Sequence, residues 1–232
     1  MIIYGKNVAK EYLEKNRPIK KAIVYKKTND SELINLLKEK NIKINWKEKY
    51  EMDKIVDGLH QGIILEVEDY EYCSLEKLIN KENSFLVILD HIEDPHNFGA
   101  IIRTCEAANV DGIIIPKDRS VQVNSTVVKV STGAIENVNI AKVTNLSQTI
   151  DFLKKNGFWI IGTDMNGKSY DKIDYCGKIA IVIGNEGKGM SKIIKESCDF
   201  IATIPMLGTT NSLNASVAAG IIIYEAVRKR NV

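Results

Sequence analysis

Residues 205–220 read PMLGTTNSLNASVAAG, and the rest of the chain is organised around them. The first half is irregular: Gly208, two threonines, then Asn211, Ser212, Leu213 and Asn214. From Asn214 the chain runs on as ASVAAGIIIYEAV, which has the length and residue types of a buried helix. A polar loop therefore sits on the N-terminus of an almost wholly apolar helix. Free backbone N–H groups and short polar side chains converge at such a point. It serves as a ligand site, or as an ordinary cap made by Asn214 or Ser216, and this stretch alone leaves the choice open.

Working outward, short apolar runs occur at 85–89, 112–115, 139–143, 158–163, 179–183 and 202–204. Helical patterns lie between them at 97–109, 124–131, 146–156 and 190–197, and 214–229 closes the series. Continuous apolar strands alternating with helices predict an α/β fold, a parallel sheet with helices on both faces. Ligands of such sheets bind beyond the carboxyl ends of the strands. Three polar stretches fall at such ends: Asn97 follows 85–89, Asn185 follows 179–183, and 207–214 follows 202–204.

Residues 1–73 carry a separate, smaller α/β pattern. Strands are expected at 21–25 (KAIVY), 42–46 and 62–67, with a helix at 32–40 capped by Ser31 and a short one around Met52, Ile55 and Val56. His60, Gln61 and Gly62 form either a polar turn or a nucleotide contact. A polar stretch without strand pattern at 69–83 marks the join, so the expected division is 1–73, a linker at 74–83, and 84–232. Net charge over the 232 residues is only +2, but residues 1–49 carry 13 basic against 6 acidic side chains. A basic face of that kind can meet phosphates, or can be a solvated lysine-rich surface.

At 44% hydrophobic and 27% charged the chain reads as globular, with no apolar run of membrane-spanning length and no signal-peptide core. Cys73, Cys105, Cys176 and Cys198 are scattered, as reduced thiols of a cytoplasmic protein would be. His91 and His96 flank Glu93 and Asp94, but Pro95 breaks the helix a metal site would use, so no metal is expected.

Two further stretches bear on chemistry. In 94–103 (DPHNFGAIIR), Pro95 and Asn97 start a helix whose core face is Phe98, Ile101, Ile102, Cys105 and Ala108. Arg103 points off that face. It is either a solvated arginine or, near a ligand-binding edge, a bidentate clamp for phosphate. In 183–189 (IGNEGKG) three glycines allow close backbone approach to a ligand, with Glu186 among them. This is neither a Walker A loop nor a dinucleotide-binding fingerprint.

In order and spacing, N-F-G-x-x-x-R at 97–103, G-N-E-G-x-G at 184–189 and S-L-N-x-S-V-A at 212–218 resemble the three motifs of the SpoU family. These are RNA ribose 2′-O-methyltransferases of the SPOUT superfamily. The likeness covers the whole second unit, including 130–134 (VSTGA) and 143–146 (VTNL), and is strongest to members acting on a guanosine of 23S rRNA. The first unit resembles that family's ribosomal-protein-like RNA-binding domain. The resemblance implies S-adenosylmethionine as cofactor, a C-terminal trefoil knot, a homodimer and an RNA substrate, rRNA or tRNA. It places the cofactor at Gly184, Ile204 and Leu213, and the catalytic set at Asn97, Arg103, Glu186, Ser212 and Asn214. The ribose hydroxyl must lose its proton as it attacks the methyl group. A guanidinium stays protonated, so Arg103 fits a clamp better than a base.

Overall fold

The computed structural model describes residues 1–230, which form two compact units. The smaller comprises residues 1–71 together with 123–133; the larger comprises 72–122 and the described residues from 134 on. Sequence order places 124–131 in the larger unit, whereas its packing groups it with the smaller.

The smaller unit runs β1 (Ile2–Tyr4), α1 (Lys6–Glu14), β2 (Ile19–Tyr25), α2 (Ser31–Glu39), β3 (Ile44–Lys47), α3 (Lys49–Asp53) and β4 (Ile63–Val67). Its sheet has the order β1-β4-β2-β3, with β4 antiparallel to β1 and β2 and β3 parallel to β2. Both faces of β2 are covered: Ala22 and Val24 on one, Ile23 against Ile64, Met52 and Val56 on the other. The cap of α2 is Asp30, whose carboxylate accepts from Leu33 N at 3.1 Å, and not Ser31, which is the first helical residue. A carboxylate is favoured at the positive helix end. α3 begins earlier than its apolar residues suggest, because Glu48 and Glu51 form a reciprocal capping box.

The larger unit opens with β5 (Phe85–Asp90), α4 (Pro95–Ala107) and β6 (Gly112–Pro116). After α5 (Ser125–Ser131), which packs on β1, it continues with β7 (Ile140–Val143), α6 (Leu146–Lys155), β8 (Trp159–Ser169) and β9 (Ile179–Gly184). It ends with α7 (Lys192–Glu196), β10 (Phe200–Thr203) and α8 (Ala215–Arg230). The six strands are all parallel in the order β10-β8-β9-β5-β6-β7. Every residue of β5, β6 and β9 is buried, as strands covered on both faces must be. One face holds Leu86, Ile88, Ile114 and Val182 against Ile150 and Leu153 of α6 and Ile194 of α7. α4 and α8 pack on each other and on β6 and β9. Chain order reverses between β5 and β9, so the switch point lies where Asp90 pairs with Gly184. No helix among the described residues is long and apolar enough to cross a membrane.

Candidate active site

α4 starts at the carboxyl end of β5. Asp94 caps it, its Oδ1 accepting from His96 N at 2.9 Å, and Pro95 occupies the first turn, where no N–H is needed. That backbone hydrogen bond is the main reason the Asp94 carboxyl is held below its ordinary pKa. The apolar face predicted for α4 is buried, and Asn97 is buried beside it at 6% exposure.

A buried amide must place its donors and acceptor. Asn97 Nδ2 donates to Glu186 Oε1 at 2.9 Å, and Asn97 Oδ1 accepts from Asn214 Nδ2 at 2.9 Å. Asn214 Oδ1 accepts from Ser216 N at 2.9 Å and Ser216 Oγ at 2.6 Å, so Asn214 caps α8. Asn214 is thus the cap of α8, and its amide also reaches Asn97 on α4. Its oxygen faces only donors, which forces its Nδ2 toward Asn97 and the Asn97 Nδ2 toward the carboxylate. A directed relay runs from the α8 N-terminus through Asn214 and Asn97 to Glu186, joining positions 89 and 117 residues apart in sequence.

The glycine turn that carries Glu186 is tightly closed. Asn185 and Gly189 exchange backbone hydrogen bonds of 3.0 and 2.9 Å, and Asn185 Oδ1 accepts from Gly187 N at 3.0 Å and Lys188 N at 3.2 Å. A Cβ on Gly184 would lie 2.4 Å from Met190 N, so only glycine fits. Sequence reasoning missed what anchors this turn. Asn185 Nδ2 donates to His91 O at 2.7 Å, and the buried Asp90 carboxylate accepts from Ser191 N at 2.7 Å and pairs with His91 Nδ1 at 2.6 Å. One signal was available: β5 reads FLVILD, and a carboxylate that ends a fully buried strand needs donors waiting for it.

The remaining predicted residues are placed less tightly. Ser212 is exposed, in the loop between β10 and α8. Ile204 follows β10 rather than ending it and is half-buried; Leu213 is 37% exposed. Arg103 is exposed on α4, two turns past Asn97, with no hydrogen bond or ion pair among the described residues. The side-chain bonds of Asn97 and Glu186 go to each other and to Asn214, not to Arg103. In the smaller unit the 60–62 turn is shaped by local bonds: Gln61 Oε1 accepts from Lys6 N at 2.9 Å and His60 Nδ1 from Gly62 N at 3.0 Å. No group of His, Cys, Asp and Glu among the described residues could hold a metal.

Residues 84–224 match the SpoU rRNA Methylase family, and residues 2–73 match the family RNA 2′-O ribose methyltransferase substrate binding. Among curated proteins, the chain is 42% identical to the putative TrmH family tRNA/rRNA methyltransferase YacO of Bacillus subtilis, over 99% of this chain and 96% of that one. It is also 42% identical to a putative TrmH family tRNA/rRNA methyltransferase of Staphylococcus saprophyticus, over 100% and 96%. Among solved structures, the SpoU methyltransferase AviRb of Streptomyces viridochromogenes, crystallised with AdoMet, superposes with a TM-score of 0.81 at 24% identity, covering 99% of this chain and 90% of that one.

Proposed function

This chain belongs to the SpoU methylase family, and we propose that it transfers a methyl group from S-adenosylmethionine to a ribose 2′-hydroxyl of structured RNA, a guanosine of 23S rRNA being the preferred target. The observation that carries the reading is the relay Asn214–Asn97–Glu186, which draws the three motif segments together at the carboxyl edge of a parallel sheet.

The residues fit the cofactor. Gly184 lets the glycine turn close against the end of β9, which brings backbone N–H and C=O groups to this edge, and Ile204 and the half-open Leu213 offer apolar walls for an adenine. When bound there, S-adenosylmethionine supplies an electrophilic methyl group on a sulfonium. Everything else falls to the protein. Glu186 is fixed through one oxygen by Asn97, leaving Oε2 to accept from the ribose. Ser212, exposed beside the α8 cap, holds the hydroxyl from the other side. Among the described residues Arg103 has no partner to give up, so its guanidinium is available to the adjoining phosphate and to the oxygen as negative charge develops on it. The ribose oxygen would bond to the methyl carbon as the methyl–sulfur bond breaks, releasing a neutral thioether, and the hydroxyl proton would go to a phosphate oxygen or water, because a guanidinium cannot take it. Most of the acceleration comes from alignment.

Three further parts belong to the same reading. The C-terminal part of the larger unit is tied in a trefoil knot. Residues 1–73 bind the RNA. A second copy covers α8 through Val217 and Tyr224, each 50% exposed on an otherwise apolar helix. The test is incubation of the full chain with labelled S-adenosylmethionine and rRNA or tRNA, followed by nuclease digestion. Label in 2′-O-methylguanosine from rRNA supports the reading; label in tRNA moves the target, and label on a base refutes it.

A further inference from the structure

A cleft of about 500 Å³ opens at the carboxyl edge of the larger unit, between the ends of β5, β6 and β7 and the turn after β9. Neither Ile204 nor Leu213 lines it, nor do Asn97 or Arg103, so it is distinct from the cofactor and ribose positions assigned above. Its volume suits a nucleotide-sized ligand. It absorbs a motif that the proposed reaction leaves unused: Thr144, Asn145 and Leu146, from the 143–146 stretch, form one wall.

The lining is chemically specific. Leu146 and Met190 provide a buried apolar floor. Glu93 and Asp118 bring two carboxylates, and Arg119 and Lys188 bring two cations. None of these four side chains has a hydrogen bond or ion pair among the described residues, although opposite charges share one concavity. Asn145 uses its oxygen to cap α6, accepting from Gln148 N at 3.1 Å, and its Nδ2 has no partner among the described residues. Such a site offers acceptors at one place and cations at another, over an apolar surface. Guanine is the base that presents two parallel donors, N1–H and N2–H, to a carboxylate, and a phosphate is the natural counterpart of the cations.

We propose that this cleft takes one guanine nucleotide of the RNA substrate, its base on Leu146 and Met190, its N1–H and N2–H edge on the Glu93 and Asp118 carboxylates, and its phosphate on Arg119 and Lys188. Calling the ligand RNA rests on the methyltransferase reading; the chemistry of the cleft does not. The cleft and the relay share a wall. Glu93 precedes Asp94, Asn185 precedes Glu186, and Asp94 N approaches Glu186 Oε1 at 3.4 Å. A nucleotide held here therefore sits beside the ribose to be methylated and selects the sequence around it.

The test uses the full chain without cofactor or RNA, titrated with 5′-GMP, 5′-AMP and guanosine and followed by saturation-transfer NMR. GMP is expected to bind in the millimolar range and AMP roughly tenfold more weakly, the usual worth of a bidentate base contact. Arg119→Ala should weaken GMP roughly tenfold and leave guanosine nearly unchanged, since it removes a phosphate contact. The double variant Glu93→Gln, Asp118→Asn should abolish the preference for GMP over AMP. Thermal melts identify a variant that has lost its fold. Equal binding of GMP and AMP, or GMP affinity unaltered in the variants, overturns the proposal. GMP binding in a protein that transfers no methyl group refutes the reaction and leaves the cleft; methyl transfer without GMP binding refutes the cleft and leaves the reaction.

Discussion

Asn97→Asp tests the relay with a side chain of almost the same shape. The variant keeps an acceptor for Asn214 Nδ2 but replaces the donor that faces Glu186 Oε1 at 2.9 Å with a carboxyl group. At neutral pH it loses a hydrogen bond to a charged group, worth about 1.5–3 kcal/mol. It also sets two carboxylates against each other, a repulsion of about 4 kcal/mol at 4 Å and an effective dielectric constant near 20. Glu186 is exposed and can swing aside, which removes much of the second contribution. The net loss is then about 2–4 kcal/mol, or a fall in Tm of about 5–15 °C for a chain of this size. The neighbouring charge raises the pKa of the introduced carboxyl in the folded state. The penalty is therefore absent below the unfolded pKa, where the protonated group donates to Glu186, and grows as pH rises through the folded value. Asn97→Ala removes both bonds and should show a loss independent of pH. The assay is urea unfolding of wild type and both variants across a pH series, each compared with wild type at the same pH. An Asn97→Asp variant as stable as wild type at neutral pH, or one whose deficit does not change with pH, would refute the relay.

Other expectations follow from the same geometry. Gly184→Ala forces a Cβ to within 2.4 Å of Met190 N; it should cost about 1–3 kcal/mol and abolish S-adenosylmethionine binding by calorimetry. Arg103→Ala should leave the melting curve within about 0.5 kcal/mol of wild type, because the side chain is exposed and unpartnered, yet slow single-turnover methylation about a hundred- to a thousandfold. Arg103→Lys should rescue little, since an ammonium lacks the two-pronged geometry. The depressed pKa of Asp94 means that its cap stabilises α4 above the ordinary carboxylate range and is lost as pH falls through the folded value; Asp94→Asn should flatten that acid limb at a cost of at most about 1 kcal/mol at neutral pH, read from urea midpoints.

The parallel sheet was legible because β5, β6 and β9 are buried on both faces and so are apolar throughout. β8 was read short. Its extension, DMNGKS at 164–169, is polar and exposed, and it pairs with β10 only after a register shift at Ile201/Ala202, a long-range event with no local signature. α1 escaped notice because only Val8, Ala9 and Leu13 of KNVAKEYLE are buried. The motifs marked Asn97, Glu186 and Asn214 as candidate site residues, but not that they bond to one another; sequence carries residue types and spacing, and the contacts depend on how segments 89 and 117 residues apart fold back. Asp90, and the anchoring role of Asn185, escape the sequence for the same reason: each ties the glycine turn to the end of β5 through a backbone group of another segment.

The most direct test of the central claim is single-turnover reaction of the full chain with S-adenosylmethionine and a 23S rRNA fragment, read by alkaline hydrolysis of the product. A ribose 2′-O-methyl group blocks cleavage at its own phosphodiester, whereas a base methyl does not. One new resistant position beside a guanosine, absent with Arg103→Ala, is the predicted result. Methyl transfer that leaves the hydrolysis ladder unchanged would contradict it.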